Sequence, residues 1–225
     1  MANLEQVRLL RQGANEWNNW RIEHLTLKPD LSDADLSGIS LQFMDLSRTN
    51  LRHANLEGTD LRNANLRYAC LNFANLKLAD LIEANLQGAE LQHASLQGAD
   101  LYKTQLSNAN FYCANLTKAI VRRANLERAN LKAIEGSLTD FFQANLMRSS
   151  FYMANLYRAN FEASNLIEAS LEWANLLGAN LRKANLCRAS LYRANLCRAS
   201  LQDTLLKGTK MPNGKVLGEQ STTVP

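Results

Sequence analysis

The sequence predicts an all-β repeat fold, a solenoid of short stacked coils, and three regularities carry that prediction. From Leu31 to Leu206 every fifth residue is Leu, Phe or Val, with Gly136 the sole exception. Three residues after each of these positions, from 34 to 204, Ala fills 25 of 35 places. Most of the others are Thr or Ser, and Ile39, Met44 and Ile134 are the large substitutes. The next position is Asn, Asp or Ser in 29 of 34 places, so one frame persists without an insertion across the whole stretch. The repeating unit is Ala, a small polar residue, Leu, and then two residues of almost any kind.

A period of five fits neither an amphipathic helix nor a half-buried strand. In a helix five residues advance about 500°, so successive Leu would fall roughly 140° apart and point in all directions. Asn and Ser at every fifth place would weaken a helix further, because their side chains compete for backbone hydrogen bonds. One short extended piece and one turn per unit suit the pattern. The large apolar residue and the small one point inward, and the Asn is expected to tolerate the turn conformation. Coils stacked at about 4.8 Å then pair backbone with backbone. A single unit buries nothing; only stacking makes a continuous core.

The run "ANLRKANLCRASLYRANL" resembles the A(D/N)LXX signature of the pentapeptide repeat proteins, and the resemblance extends over residues 31–210. It implies the family fold, a right-handed quadrilateral parallel β-helix with four pentapeptides, about 20 residues, per coil. Residues 31–210 would then make about nine coils, a rod of roughly 43 Å at strand spacing. The flanking stretches "LLRQGANEWNNWR" and "GTKMPNGK" resemble those of cyanobacterial members.

On this frame the chain divides into an N-terminal helical cap (1–30), the β-helix (31–210) and a C-terminal tail (211–225). The open ends of a solenoid expose backbone and apolar side chains, so both need covering. Leu4, Val7, Leu10, Ala14 and Trp17 recur at steps of three or four, the pattern of a short amphipathic α-helical cap. Asn3 can start it, with Gln6 placed as in a capping box, and Gly13 can split it in two. The first coil is its expected seat, since Ile39 and Met44 replace the usual Ala there. At the other end Leu205, Met211, Val216 and Leu217 flank the turn "MPNG", and the tail is expected to fold over the last coil, with "EQSTTVP" as a disordered end.

Nothing at the N-terminus resembles a signal peptide, and the apolar runs are too short to span a bilayer, so the expected location is the cytoplasm, away from membranes. The four cysteines agree with a reducing compartment. Cys187 and Cys197 fall on opposite faces of a 20-residue coil, and Cys70 and Cys113 lie two coils and a face apart, so all should be free thiols. The net charge of +4 hides a dipole. Residues 31–100 carry 5 Lys or Arg against 9 Asp or Glu, whereas 101–210 carry 15 against 7, so the rod is acidic at one end and basic toward the other.

No arrangement suited to catalysis, to a cofactor or to a metal is expected. His53 and His93 share a column but lie two coils apart, about 10 Å, with Phe73 between them, too far to chelate one ion. No phosphate loop, nucleophile elbow or Cys-x-x-Cys occurs, and a Leu-filled core leaves no substrate pocket. The chain therefore reads as a non-enzymatic scaffold or protein-interaction module with an unknown protein partner and an oligomeric state that the sequence leaves open.

Some members of the family bind DNA gyrase as mimics of duplex DNA. Such a mimic of about 43 Å needs on the order of 25 phosphate-like charges. Residues 31–210 carry 16 acidic residues against 20 basic ones, and the mimic reading fails on charge. The alternative is a nucleic-acid-binding rod using its basic half, where Arg128, Arg148 and Arg188 share a column that Glu168 interrupts. The stronger surface signal is aromatic. Reading every twentieth residue places Tyr112, Tyr152 and Tyr192 in one outward column and Met153 and Trp173 in the next, so these five share a face. They are the candidate partner-binding residues, since Tyr and Trp dominate binding hot spots. Lys132, Glu172 and Arg193 would form their polar margin.

Overall fold

Successive coils are joined by parallel β-bridges that link each residue of the polar position to the residue twenty further on, from Asp30↔Asn50 to Ser190↔Lys210. The structure, a computed structural model, describes residues 2–218; the expected disordered end at 219–225 lies outside the described residues. The extended pieces are so short that each contributes a single bridged residue per unit.

Three backbone bonds per unit join neighbouring coils, the third from the turn residue, as His53 N–H donates to the Asn72 carbonyl (3.1 Å), and one more closes each corner. Leu51 N–H donates to the Cys70 carbonyl (2.7 Å) and Asn55 N–H to that of Ala34 (2.9 Å), while Ala54 N–H closes the turn onto Leu51 (3.1 Å). The left-handed residue of that turn is the one immediately before the Ala, not the Asn. His53, Asn63, Tyr68 and their equivalents have φ near +57°. The Asn has a different task from the one its turn propensity suggests. Its side-chain oxygen accepts the N–H two residues on, as Asn50 does from Arg52 (3.2 Å), and its amide donates to the Asn one coil before, as Asn165 does to Asn145 (3.1 Å). The small polar residue thus braces both the corner that follows it and the neighbouring coil.

The interior is filled by the frame residues, nearly all with no exposure, and by the Ala positions between them. Phe141 and Phe161 stack face to face one coil apart (4.9 Å between centroids, 9° between planes), and Phe151 meets both edge-on at 5.7 Å. Where Thr replaces Ala, its buried hydroxyl donates to the carbonyl of a frame residue of the preceding coil, as Thr59 does to Leu36 (2.7 Å). Thr49 has no such partner, because the corresponding carbonyl, twenty-three residues earlier, would precede the first coil.

Gly136 tests the frame. The sequence "KAIEGSLTD" suggests a local bulge there, with Ile134 or Leu138 taking the empty place. The bridges Asn115↔Glu135, Glu135↔Asn155 and Ile120↔Asp140 are all present, so no bulge forms. Ile134 does fill the place, together with Leu156: their δ-carbons lie 3.3 and 3.0 Å from where a Cβ on Gly136 would stand. Leu138 points outward. A long branched side chain next in line reaches the gap more cheaply than the backbone can bend.

Two helices precede the coils, α1 (Leu4–Leu10) and α2 (Ala14–Glu23), divided at Gly13, whose φ of 116° suits glycine. Leu10, Trp17, Gln6 and Arg21 are buried, whereas Leu4 faces solvent, so the inward face is more polar than its apolar spacing suggests. The capping box is half formed. Asn3 accepts from Glu5 and Gln6 N–H, but the Gln6 side chain turns away to accept the Asp30 N–H (2.8 Å). The first coil explains why: its backbone has no preceding coil, and helix side chains stand in for one. Trp17 Nε1 donates to the Asp45 carbonyl (2.9 Å), Asn18 Oδ1 accepts the Asp45 N–H (2.8 Å), and Arg21 donates to Ser47 O (3.0 Å).

At the other end a tight hairpin, closed by the antiparallel bridge Lys210↔Val216, returns the chain so that Leu217 N–H meets Thr209 O (3.0 Å). Met211 and Leu217 pack against the core, but Leu205 and Val216 remain exposed, so the hairpin sits over one corner of the last coil.

Candidate partner-binding face

One wall of the rod carries two residues per coil outward, just after the frame positions 31, 51, 71 and so on. The second of each pair is the left-handed turn residue, which throws its side chain clear of the wall: His53, Phe73, Cys113 and Met153 have φ of 56–62°. Left-handed backbone is uncommon for residues with a side chain; here the turn and the bridges on both sides impose it once per unit.

All five sequence-predicted residues lie on this wall. Tyr112, Tyr152, Met153 and Trp173 are exposed, and Tyr192 is half-buried. The face is not continuous. Cys113, Lys132 and Ala133 separate a first group, which ends at Tyr112, from a second, which begins at Tyr152. In the first group His53, Phe73 and His93 stack at 5.0 and 4.9 Å, Arg52 lies over Phe73 (4.9 Å), and Tyr112 meets His93 edge-on at 5.9 Å. The hydrogen bond with the Cys113 side chain holds the Tyr112 hydroxyl above its ordinary pKa.

In the second group Arg193 is not a margin. Its guanidinium covers Trp173 at 4.5 Å and Tyr192 at 5.3 Å, and its Nε donates to the Tyr192 hydroxyl (3.2 Å). Lys210 approaches the same Tyr192 ring at 4.3 Å. Glu172 accepts from Ser190 Oγ (2.7 Å). The open surface of the second group is therefore Tyr152, Met153 and the free flank of Trp173, crowned by cations. The twenty-residue spacing places His53, Phe73, His93 and Arg193 in Trp173's column, but it does not show that the lower rings stack on one another or that Arg193 folds back over Trp173.

The basic column behaves differently. Glu168 accepts from Arg148 (2.7 Å) and pairs with Arg188 (3.1 Å), while Arg128 leans on Glu127 (3.8 Å). The Arg148 hydrogen bond, helped by Arg188, holds the Glu168 carboxyl below the usual carboxylate range. The arginines that would meet phosphates are thus already engaged with carboxylates. Among the described residues no helix is long and apolar enough to cross a membrane.

The pentapeptide-repeat family model matches residues 30–133, in overlapping segments, and 164–203, with eight copies. No curated protein sequence matches the chain. Among solved structures it is similar to HetL, a pentapeptide repeat protein involved in heterocyst differentiation regulation from the cyanobacterium Nostoc: 32% identity, 88% of this chain and 98% of that one covered, TM-score 0.47. It is also similar to the plasmid-mediated fluoroquinolone resistance protein QnrB1, with 21% identity, 80% and 77% covered and a TM-score of 0.51, a likeness of fold.

Proposed function

The chain belongs to the pentapeptide repeat family, and we propose that it is a non-enzymatic scaffold that holds a protein partner against the wall bearing Tyr152, Met153 and Trp173. Proteins of this family fold as right-handed quadrilateral β-helices, and the twenty-residue bridge register is that of four pentapeptides per coil. We read residues 31–210 as about nine such coils, 1–30 as their cap and 211–225 as a tail. The cap reading rests on helix side chains that take the hydrogen bonds a preceding coil would make. The four free thiols support a reducing compartment, the cytoplasm.

The observation that carries the functional reading is the exposure of Tyr152, Met153 and Trp173 on one rigid wall, although the core is complete without them. Aromatic rings with few rotatable bonds, an adaptable Met and an Arg laid on Trp173 are the groups that interface centres favour. With Arg193 and Lys210 at its top, the wall suits a partner whose apolar surface is bordered by carboxylates. Direct nucleic-acid binding is the lesser reading, because Glu168 pairs two arginines of the basic column. Salt separates the two. A partner captured from an extract of the native cells should stay bound as salt rises from about 50 to 200 mM, whereas a nucleic-acid complex with several phosphate contacts would lose on the order of 1,000-fold or more in affinity. Steep loss, together with displacement by duplex DNA, would overturn the protein-partner reading.

A further inference from the structure

A second feature lies on another wall, near the N-terminal end, and does not depend on the reading above. Lys28, Arg48, Tyr68 and Gly88 are spaced by twenty and form one outward column. Lys28, Arg48 and Tyr68 border a recess of about 400 Å³ with Asn50 and Cys70. An adjoining hollow of about 370 Å³ shares Arg48 and Tyr68 and adds Arg67.

The Tyr68 ring is laid down in a fixed way. A Cβ at position 88 would stand 2.5 Å from its Cε1, so the ring rests against the space that Gly88 leaves open, at a φ of 66°. The residue is still 53% exposed, so part of the ring remains accessible. The charge around it is cationic, although residues 31–100 are acidic as a whole. Lys28 and Arg48 have no carboxylate partner among the described residues, unlike Arg62, Lys103, Arg122 and Arg148. Arg67 has none either and lies 5.6 Å from the Tyr68 ring. The nearby carboxylates are already engaged. Asp45 faces Arg21 at 3.6 Å and accepts from Asn65 (2.7 Å), and Asp30 accepts from Asn50 (2.9 Å) and from Ser32 N–H (3.1 Å).

Unpaired cations beside an accessible aromatic ring, around a space far larger than a bare anion, match a ligand with both an anionic group and a flat ring. We propose that this recess binds a small phosphate ester of the mononucleotide class, with its phosphate between Lys28 and Arg48 and its ring on Tyr68. A polynucleotide fits less well, because Tyr68, Gly88 and Asn108 follow Arg48 in this column, and the arginines further along it, Arg128, Arg148 and Arg188, already lie beside Glu127 and Glu168.

Cys70, a half-buried free thiol in the recess wall, reports on occupancy, and the exposed Cys197 serves as an internal reference. The experiment follows alkylation of each cysteine by peptide mass spectrometry in the full chain, with ADP, adenosine or inorganic phosphate added. ADP should slow Cys70 alkylation saturably and leave Cys197 unchanged. In the Lys28→Ala/Arg48→Ala protein the ADP concentration needed should rise by about tenfold or more, the scale of losing charge-assisted hydrogen bonds. Tyr68→Leu should weaken protection by ADP without altering any effect of inorganic phosphate. These side chains are on the surface, so thermal melting should not change. Three results would overturn the proposal: no protection by millimolar ADP at low salt, equal protection in the double variant, or protection by inorganic phosphate as strong as by ADP.

Discussion

Phe151, Tyr152 and Met153 are consecutive and all large, yet Phe151 has no exposure while Tyr152 and Met153 are 38% and 60% exposed. The interior and the outer wall are thus built from neighbouring residues of similar apolar character. Their destinations are set by place in the five-residue frame, not by hydrophobicity. Inside, each place is bounded by the coils on both sides and by the opposite wall, so size and polarity are restricted. Outside, the turn projects whatever residue it holds, and the fold does not select it. An exposed aromatic group is therefore informative in a way that a buried one is not.

The interior side of that contrast gives the largest effects. Phe141→Ala removes a ring stacked on Phe161 and edge-on to Phe151, and should cost roughly 3–5 kcal/mol in denaturant melts. A loss below about 1 kcal/mol would mean that the frame does not dictate burial. Gly136→Leu restores the repeat yet should destabilise by about 1–3 kcal/mol, because Ile134 and Leu156 already occupy the place. A more stable protein would show that their fit is poor. Thr59→Val should cost about 1 kcal/mol, whereas Thr49→Val should be neutral or slightly stabilising, since only Thr59 has an acceptor for its hydroxyl. Equal losses at both sites would break the comparison.

A smaller effect is set by pH. The Arg62 side chain, with further help from the Arg62 N–H and Gln42, holds the Asp60 carboxyl below its ordinary value of 3.8. The folded pKa is the lower one, so this contribution is present in full above the unfolded pKa. It is lost as the pH falls below about 4 and through the folded value. Asp60→Asn should lower stability slightly at pH 7 and flatten the decline between about pH 4 and 2; an unchanged acid slope would show that the pair contributes nothing.

Much of the fold is legible because a period of five leaves few ways to bury Leu and Ala together. The columns of the outer wall follow once twenty residues make a coil, and Phe141 and Phe161 could be placed as stacked neighbours in this way. What a list of columns lacks is the direction in which long side chains lean. Arg193 reads as the edge of the aromatic stripe, but it folds back over Trp173. Propensity misleads for the Asn, which has turn character but serves as brace and ladder. Arg21 is hidden for another reason. Its burial follows from the first coil's unmet hydrogen bonds, which exist only once the rod has an end. The recess at Tyr68 is hidden for a similar reason: Arg48 and Tyr68 fall in the column of Arg128 and Arg148, but Lys28, which completes the recess, precedes the first repeat.

The smallest effect on stability belongs to the wall itself, and it tests the separation of folding from binding most directly. Trp173→Ala and Tyr152→Ala, combined in one protein, should leave the melting transition within about 1 kcal/mol of the parent, because neither ring is part of the core. The same protein should bind its captured partner at least about 2 kcal/mol more weakly. Unchanged binding with unchanged melting would contradict the account and leave the aromatic wall without a part in recognition.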